Sequence, residues 1–97
     1  MITYVCLVNF TDQGIRNAKD TVKRAESFKE IAKKAGVNVR EVFWTQGQHD
    51  LVLITEAPDE ITATAISLSL SALGNVRTHS LRAFSEAEMK QVLAKMV

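Results

Sequence analysis

The sequence is poor in residue types that define several protein classes, with one cysteine and one proline among 97 residues. Cys6 alone permits no intrachain disulfide and no four-cysteine zinc site, and a lone cysteine in an apolar segment is typical of a small buried hydrophobe. No apolar run approaches the roughly 20 residues of a transmembrane helix. Met1–Phe10 also lacks the basic start and the cleavage site of a signal peptide. We therefore expect a cytoplasmic protein that contacts no membrane.

An excess of charge of one sign is also lacking. The chain has 12 Lys and Arg against 11 Asp and Glu, which gives a net charge of +1. A nucleic-acid-binding domain is usually strongly basic, and a disordered tail is often strongly acidic, so neither class is expected. Hydrophobic residues make up 46% and charged residues 24%, as in an ordinary globular protein. The length fits one domain over residues 1–97.

Hydrophobic periodicity predicts the element order β-α-β-β-α-β followed by a helix. Ser85 and Glu88 match a capping box at the start of that last helix. Strands are expected at 2–10, 37–46, 51–56 and 76–83, and a turn at 11–14. Three helices are expected: the first from residue 20 or 21 to 35, the second beginning within 57–60 and ending at 73, and the third after residue 85. In the middle helix, the side chains expected to face the core are Ile61, Ala65, Leu68 and Leu73.

This order predicts an α+β fold of the ferredoxin-like type, a four-stranded antiparallel sheet with helices on one face. The first three strands are apolar on both faces, so a bare sheet face would expose a larger apolar patch than a monomer normally shows. We therefore expect a homodimer or a higher homo-oligomer that packs through the open sheet face, as a dimeric α+β barrel. Alternatively, the last helix covers that face or swaps onto a partner.

Several segments resemble the GYD domain family, and together they span nearly the whole chain. The hairpin Gly47–Asp50 lies where that family has a glycine-x-tyrosine-aspartate motif, with His49 at the tyrosine position. The other similar segments are 10–17, 23–28, 56–59, 73–78 and 81–84. The resemblance implies a small ferredoxin-like or dimeric α+β-barrel protein. It implies no particular function, because the family is essentially uncharacterised.

Two candidate residues lie in the predicted hairpin, His49 and Asp50. Asp50 either shapes the turn by bonding backbone amides or contributes to a ligand site, because an Asp near a His can orient the imidazole. Gly47 is expected to be conformational. His79 shares a face of the fourth strand with Arg77. These two residues either lie on a solvated edge or point into a cavity that a partner encloses.

Arg40 and Trp44 are expected on one face of the second strand, and Tyr4 in the first strand. An Arg and a Trp over a cavity can hold an anionic or aromatic ligand; alternatively, Trp44 packs in an interface. The Tyr4 hydroxyl would then enter the same cavity or bond across a dimer. Two histidines are too few for a catalytic zinc site, and no cofactor motif is present. We therefore expect no metal and no cofactor.

The sequence thus favours a homo-oligomer that binds a small molecule in a cleft beside the sheet. One alternative is a cofactor-independent oxygenase- or isomerase-like enzyme, an analogy that rests on fold alone. Another is a structural or regulatory interaction protein. An enzyme would require several candidate side chains to converge on one solvent-reachable pocket. Those side chains are Tyr4, Arg40, His49, Asp50 and His79.

Overall fold

The computed structural model describes all residues from 1 to 97. Four strands, β1 to β4, form one antiparallel sheet in the order β2-β3-β1-β4, so β2 and β4 are the edges. Four helices, α1 to α4, and a short 3₁₀ turn connect them. The bounds are β1 Ile2–Phe10, α1 Asp12–Arg16, the 3₁₀ turn Ala18–Asp20, α2 Thr21–Lys34, β2 Asn38–Trp44, β3 Leu51–Ala57, α3 Glu60–Ala72, β4 Val76–Ala83 and α4 Glu86–Ala94. The predicted ferredoxin-like α+β class is confirmed.

The segment after β1 forms α1 instead of the predicted turn. The Thr11 hydroxyl caps the helix by accepting a hydrogen bond from the Gly14 amide at 3.1 Å. The same hydroxyl donates to the Gly74 carbonyl oxygen at 2.5 Å. Thr11 therefore both starts a helix, as Ser and Thr often do, and attaches α1 to the loop before β4.

The core lies between the sheet and helices α2 and α3. Residues that point to this helix-covered side alternate along each strand, as the pleat requires. The buried side chains form two groups: Cys6, Val8, Leu51, Leu53 and Val76, and Ala32, Val37 and Ala57. Only 10 of 97 residues are buried in the single chain, so much of its apolar surface has no partner within it.

Helix α3 is rotated relative to the prediction. Its side chains that pack on the core are Ala63, Ile66 and Leu70. The residues expected to face inward are exposed instead, with Ile61 at 84%, Leu68 at 65% and Leu73 at 62%. The prediction of the inward face was wrong because α3 has apolar residues on two opposite sides, and helical periodicity alone cannot choose between them.

A β-bulge in β2 reverses the expected faces of that strand. The pairing with β3 shifts between Val39 and Glu41, which leaves Arg40 as the extra residue. Beyond the bulge, Trp44 pairs with buried Leu51 and so points to the helix-covered side. The predicted common face of Arg40 and Trp44 is therefore wrong, because alternation was counted straight through the bulge.

The other side of the sheet is not covered by any helix of the chain. Strand register places a group of apolar side chains on this open face: Val5, Leu7, Phe43, Val52, Ile54 and Leu81. Phe43 is 55% exposed and Leu81 52% exposed. The expectation that both sheet faces are apolar is therefore confirmed, and the last helix does not cover the open one.

Helix α4 extends beyond the rest of the domain. Ser85 and Glu88 form the predicted capping box, and Glu88 forms an ion pair with Arg82 at 3.2 Å. The apolar side chains Met89 and Leu93 stay exposed. The radius of gyration is 14.5 Å, against about 12.5 Å for a compact domain of this length. None of the helices has both the length and the hydropathy to cross a bilayer.

Candidate functional site

A cleft of about 380 Å³ lies between α2 and α3, and we call it the interhelical cleft. It forms because α2 packs mainly on β2 whereas α3 packs mainly on β4. Between the two helices, the cleft reaches down to side chains of the central strands β1 and β3. A volume of this size falls within the range of about 300–1,000 Å³ that is typical of small-molecule sites.

The interhelical cleft has an apolar floor and a cationic rim. Its floor is made by strand residues that include Val8, Leu51 and Leu53, and Phe28 and Leu70 form its two helical walls. The charged residues among those that line the cleft are Lys23 and Arg24, and no carboxylate lines it. Such a cavity suits a ligand with an apolar body.

Arg24 is held in place at the mouth of the cleft. One guanidinium nitrogen donates to the Asn17 carbonyl oxygen at 2.7 Å, and another donates to that of Gly14 at 3.5 Å. These carbonyls belong to α1 and to the residue that ends it. Because the guanidinium has further N–H donors, Arg24 can bind a ligand while it keeps both contacts.

A smaller cavity of about 200 Å³ lies at the other half of the helix-covered side. Tyr4 and Cys6 line it together with Ser80 of β4. The Ser80 hydroxyl donates to Cys6 Sγ at 3.5 Å, and Cys6 itself is only 7% exposed. Cys6 is therefore a buried core residue, as the sequence predicted.

Arg40 and Trp44 do not share a site. Trp44 Nε1 donates to Thr21 Oγ1 of α2 at 3.0 Å, which fixes the indole against the helix-covered side. Arg40 Nε instead lies 3.8 Å from Glu56 Oε1. Glu56 alternates with the buried β3 residues and so belongs to the open face. Neither side chain lines the interhelical cleft.

His49 and His79 lie together beside the open face, with ring centroids 6.4 Å apart. Asn9 orients the first of them. The Asn9 amide nitrogen donates to the Gln48 carbonyl oxygen at 2.6 Å, so its oxygen faces His49 Nδ1 at 2.9 Å. Because an amide oxygen only accepts, this contact favours a proton on Nδ1 of His49. Arg77 pairs opposite Asn9 on the same face.

The Asp50 carboxylate serves the backbone. Its Oδ2 accepts a hydrogen bond from the Phe10 amide at 2.8 Å, and the Asp50 amide donates to the Val8 carbonyl oxygen at 2.8 Å. Asp50 thus secures the hairpin to β1, in keeping with the backbone-bonding alternative. Gly47 has a φ of +124°, so its role is conformational as expected.

The candidate side chains therefore separate into several places instead of one. Tyr4 lines the smaller cavity, and Arg40 and Trp44 contact opposite sides of the sheet. His49, Asp50 and His79 lie near one end of it. The interhelical cleft was not predicted from the sequence, because the distance between two packed helices cannot be derived from residue spacing. The adjacent cations Lys23 and Arg24 are visible in the sequence, but nothing in it distinguishes them from the other charged residues of α2.

Comparisons with known proteins agree with this fold. A family model described as the GYD domain matches residues 4–93. A glutamine synthetase and cystathionine beta-lyase binding protein of Thermus thermophilus is 32% identical over 93 residues, which cover 92% of this chain and 95% of that protein.

Among solved structures, a feast or famine regulatory protein from M. tuberculosis, complexed with L-methionine, superposes with a TM-score of 0.67 at 16% identity. The match covers 88% of this chain but only 51% of the other, so this chain spans about half of that protein. At this identity, the likeness shows a shared fold.

Proposed function

This chain belongs to the GYD domain family, and we propose that it is a homo-oligomeric binding protein that takes a small molecule in the interhelical cleft. The observation that supports this function is the cleft itself, about 380 Å³ in volume with an apolar floor. Most small-molecule sites are concave and mainly apolar, with a few polar groups that fix the ligand's orientation.

Binding fits the site better than catalysis. The titratable groups on the cleft wall are Lys23 and Arg24, and an arginine does not exchange protons at ordinary pH. The histidines, which are the usual general acids and bases, lie near the opposite, open face of the sheet. The cleft therefore lacks the paired proton donor and acceptor that an isomerase or hydrolase would need.

The open sheet face is the proposed contact between copies of the chain. Its apolar side chains, Phe43 and Leu81 among them, are half exposed in one protomer. Packing two such faces together would remove them from water, and apolar burial is the main driving force of association. The same arrangement keeps the interhelical cleft on the outside of the dimer. The cytoplasmic location of the protein remains a prediction from the sequence.

A second candidate function is the docking of a metabolic enzyme on the outer face of α3. This face is apolar at Ile61, Ala65, Leu68 and Ala72, at the i, i+4, i+7, i+11 spacing of one helical stripe. Exposed apolar stripes of this kind are typical of helix-mediated contacts. The name of the Thermus thermophilus relative states that it binds two enzymes, which supports a protein-binding role for this family member as well.

The small-molecule function can be tested with a ligand screen observed by amide NMR. Compounds with an apolar body are expected to shift the amide signals of Leu51 and Leu70 and to raise the melting temperature. Ser69→Trp places an indole at the cleft wall and should abolish both effects. Ala65→Trp adds the same side chain on the outer face of α3 and should preserve them. Equal responses of the two variants, or no binding compound at all, would contradict the proposal.

A further inference from the structure

We infer that the ligand of the interhelical cleft is an amphipathic anion, a carboxylate with an unbranched or branched hydrocarbon chain. This inference rests on the proposed function and adds the chemical class of the ligand. It follows from three features of the cleft: an apolar floor, uncompensated positive charge at the rim, and an arginine already fixed at the mouth.

The floor of the cleft selects a hydrocarbon. Eleven of the 17 residues that line the cleft are hydrophobic, and they come from both helices and all four strands. The polar residues among the rest lie on the helix and loop positions, at Thr21, Ser27, Ser69 and Asn75. A ligand that placed polar groups against the floor would lose their hydration without gaining hydrogen bonds, which is unfavourable.

The rim of the cleft selects negative charge. Lys23 and Arg24 line it, and no Asp or Glu does. Neither cation has a carboxylate partner, because the four ion pairs of the chain involve other residues. Within α2, for example, the carboxylate of Glu26 pairs with Lys29 at 3.8 Å. The rim therefore has two positive charges, neither of which forms an ion pair within the chain.

Arg24 favours a carboxylate in particular. Its contacts with the Asn17 and Gly14 carbonyls hold the guanidinium at the mouth before any ligand arrives. A guanidinium presents parallel N–H donors that match the two oxygens of a carboxylate. Because the side chain is already ordered, binding costs less conformational entropy than it would for a free arginine.

The test compares three ligands that share an eight-carbon chain and differ in the head group: octanoate, 1-octanol and octyltrimethylammonium. Titrations followed by amide NMR should show octanoate binding on the order of tenfold tighter than octanol, because charge-assisted hydrogen bonds are the stronger ones. The cationic ligand should bind most weakly. The preference for octanoate should decrease at high salt, because the rim is exposed.

Two variants separate the head-group contact from the fold. Lys23→Gln should weaken octanoate binding and leave octanol binding unchanged. Lys33→Gln removes a charge from α2 outside the cleft and should alter neither. Equal affinity for octanoate and octanol would overturn the anion inference while the small-molecule function stands. If none of the three ligands binds while another compound of the screen shifts the cleft amides, the anion inference fails and the small-molecule function stands. If binding shifts only amides outside the cleft, both the inference and the proposed function fail.

Discussion

Gly14 shows how one residue without a side chain joins two distant segments. A Cβ atom at this position would lie 1.9 Å from the Asn75 carbonyl oxygen, well inside contact distance. The approach exists because the Thr11 amide donates to that same carbonyl at 3.0 Å. The loop before β4 is thereby drawn against α1, and Asn75 is positioned at the edge of the interhelical cleft.

Gly14→Ala is therefore expected to destabilise the protein by about 3 kcal/mol or more, because overpacking against backbone forces the two segments apart. Urea unfolding followed by circular dichroism measures the loss. The control is Gln13→Ala, which removes the contacts to Leu73 and Asn75 but adds no atom, and should cost about 1 kcal/mol. A Gly14→Ala variant no less stable than the control would show that the loop moves aside freely.

Single residues also show where reading the sequence succeeds and where it stops. Cys6 was predicted to be buried because a lone cysteine in an apolar strand usually is, and it is buried in the structure. The face of Arg40 was predicted wrongly because a β-bulge inserts one residue and so reverses which side chains face each side of the sheet. No special residue type in the sequence marks this bulge. The contact between Asn9 and His49 joins residues 40 positions apart. Such a contact follows from strand order and register, which only the folded chain displays.

At the scale of the element, α4 is a helix that depends on its own cap. It buries no residue, so its stability comes from the capping box and from the Arg82–Glu88 ion pair rather than from packing. The Ser85 amide donates to the Glu88 carboxylate, and with Arg82 beside it this lowers the pKa of Glu88 below its ordinary value of 4.5. The ionised form is therefore the one that holds the start of the helix.

The lowered pKa predicts that α4 loosens in acid. A folded-state pKa below the unfolded value gives a contribution that is complete above pH 4.5 and is lost as the pH falls through the lowered value. The Cα chemical shifts of Val92 and Leu93 should therefore move toward coil values in that range. Glu88→Gln should remove this transition, whereas Glu86→Gln should retain it. An unchanged transition in Glu88→Gln would assign the acid sensitivity to another group.

Element existence was predictable from periodicity, and element orientation was not. The strands and the three longer helices were expected close to their observed bounds. Apolar residues recur every two positions in a strand and every three or four in a helix, so the two patterns are easy to tell apart. For α3, however, apolar residues at 61, 65 and 68 compete with those at 63, 66 and 70. In the structure, Ala63 and Ile66 pack against the buried group of Ala32, Val37 and Ala57, a tertiary contact that no single-helix pattern contains.

At the scale of the whole molecule, the unpartnered apolar surface is distributed over three places: the open sheet face, the outer stripe of α3 and the stripe of α4. The open face is formed by four hydrogen-bonded strands. It can therefore present a fixed shape to an identical copy, as a two-fold interface requires. The α3 stripe points away from the sheet and would remain available in such a dimer.

This arrangement predicts a homodimer that one charge on the open face disrupts. Light scattering should give a mass of twice 10.8 kDa at tens of micromolar protein. Phe43→Glu or Leu81→Glu should yield monomers, because burying an unpaired carboxylate in an apolar interface is costly. Ile61→Glu, a matched change at an exposed position of α3, should leave the dimer intact. A monomeric wild-type protein would refute the sheet-face contact, and dissociation by Ile61→Glu alone would move the interface to α3.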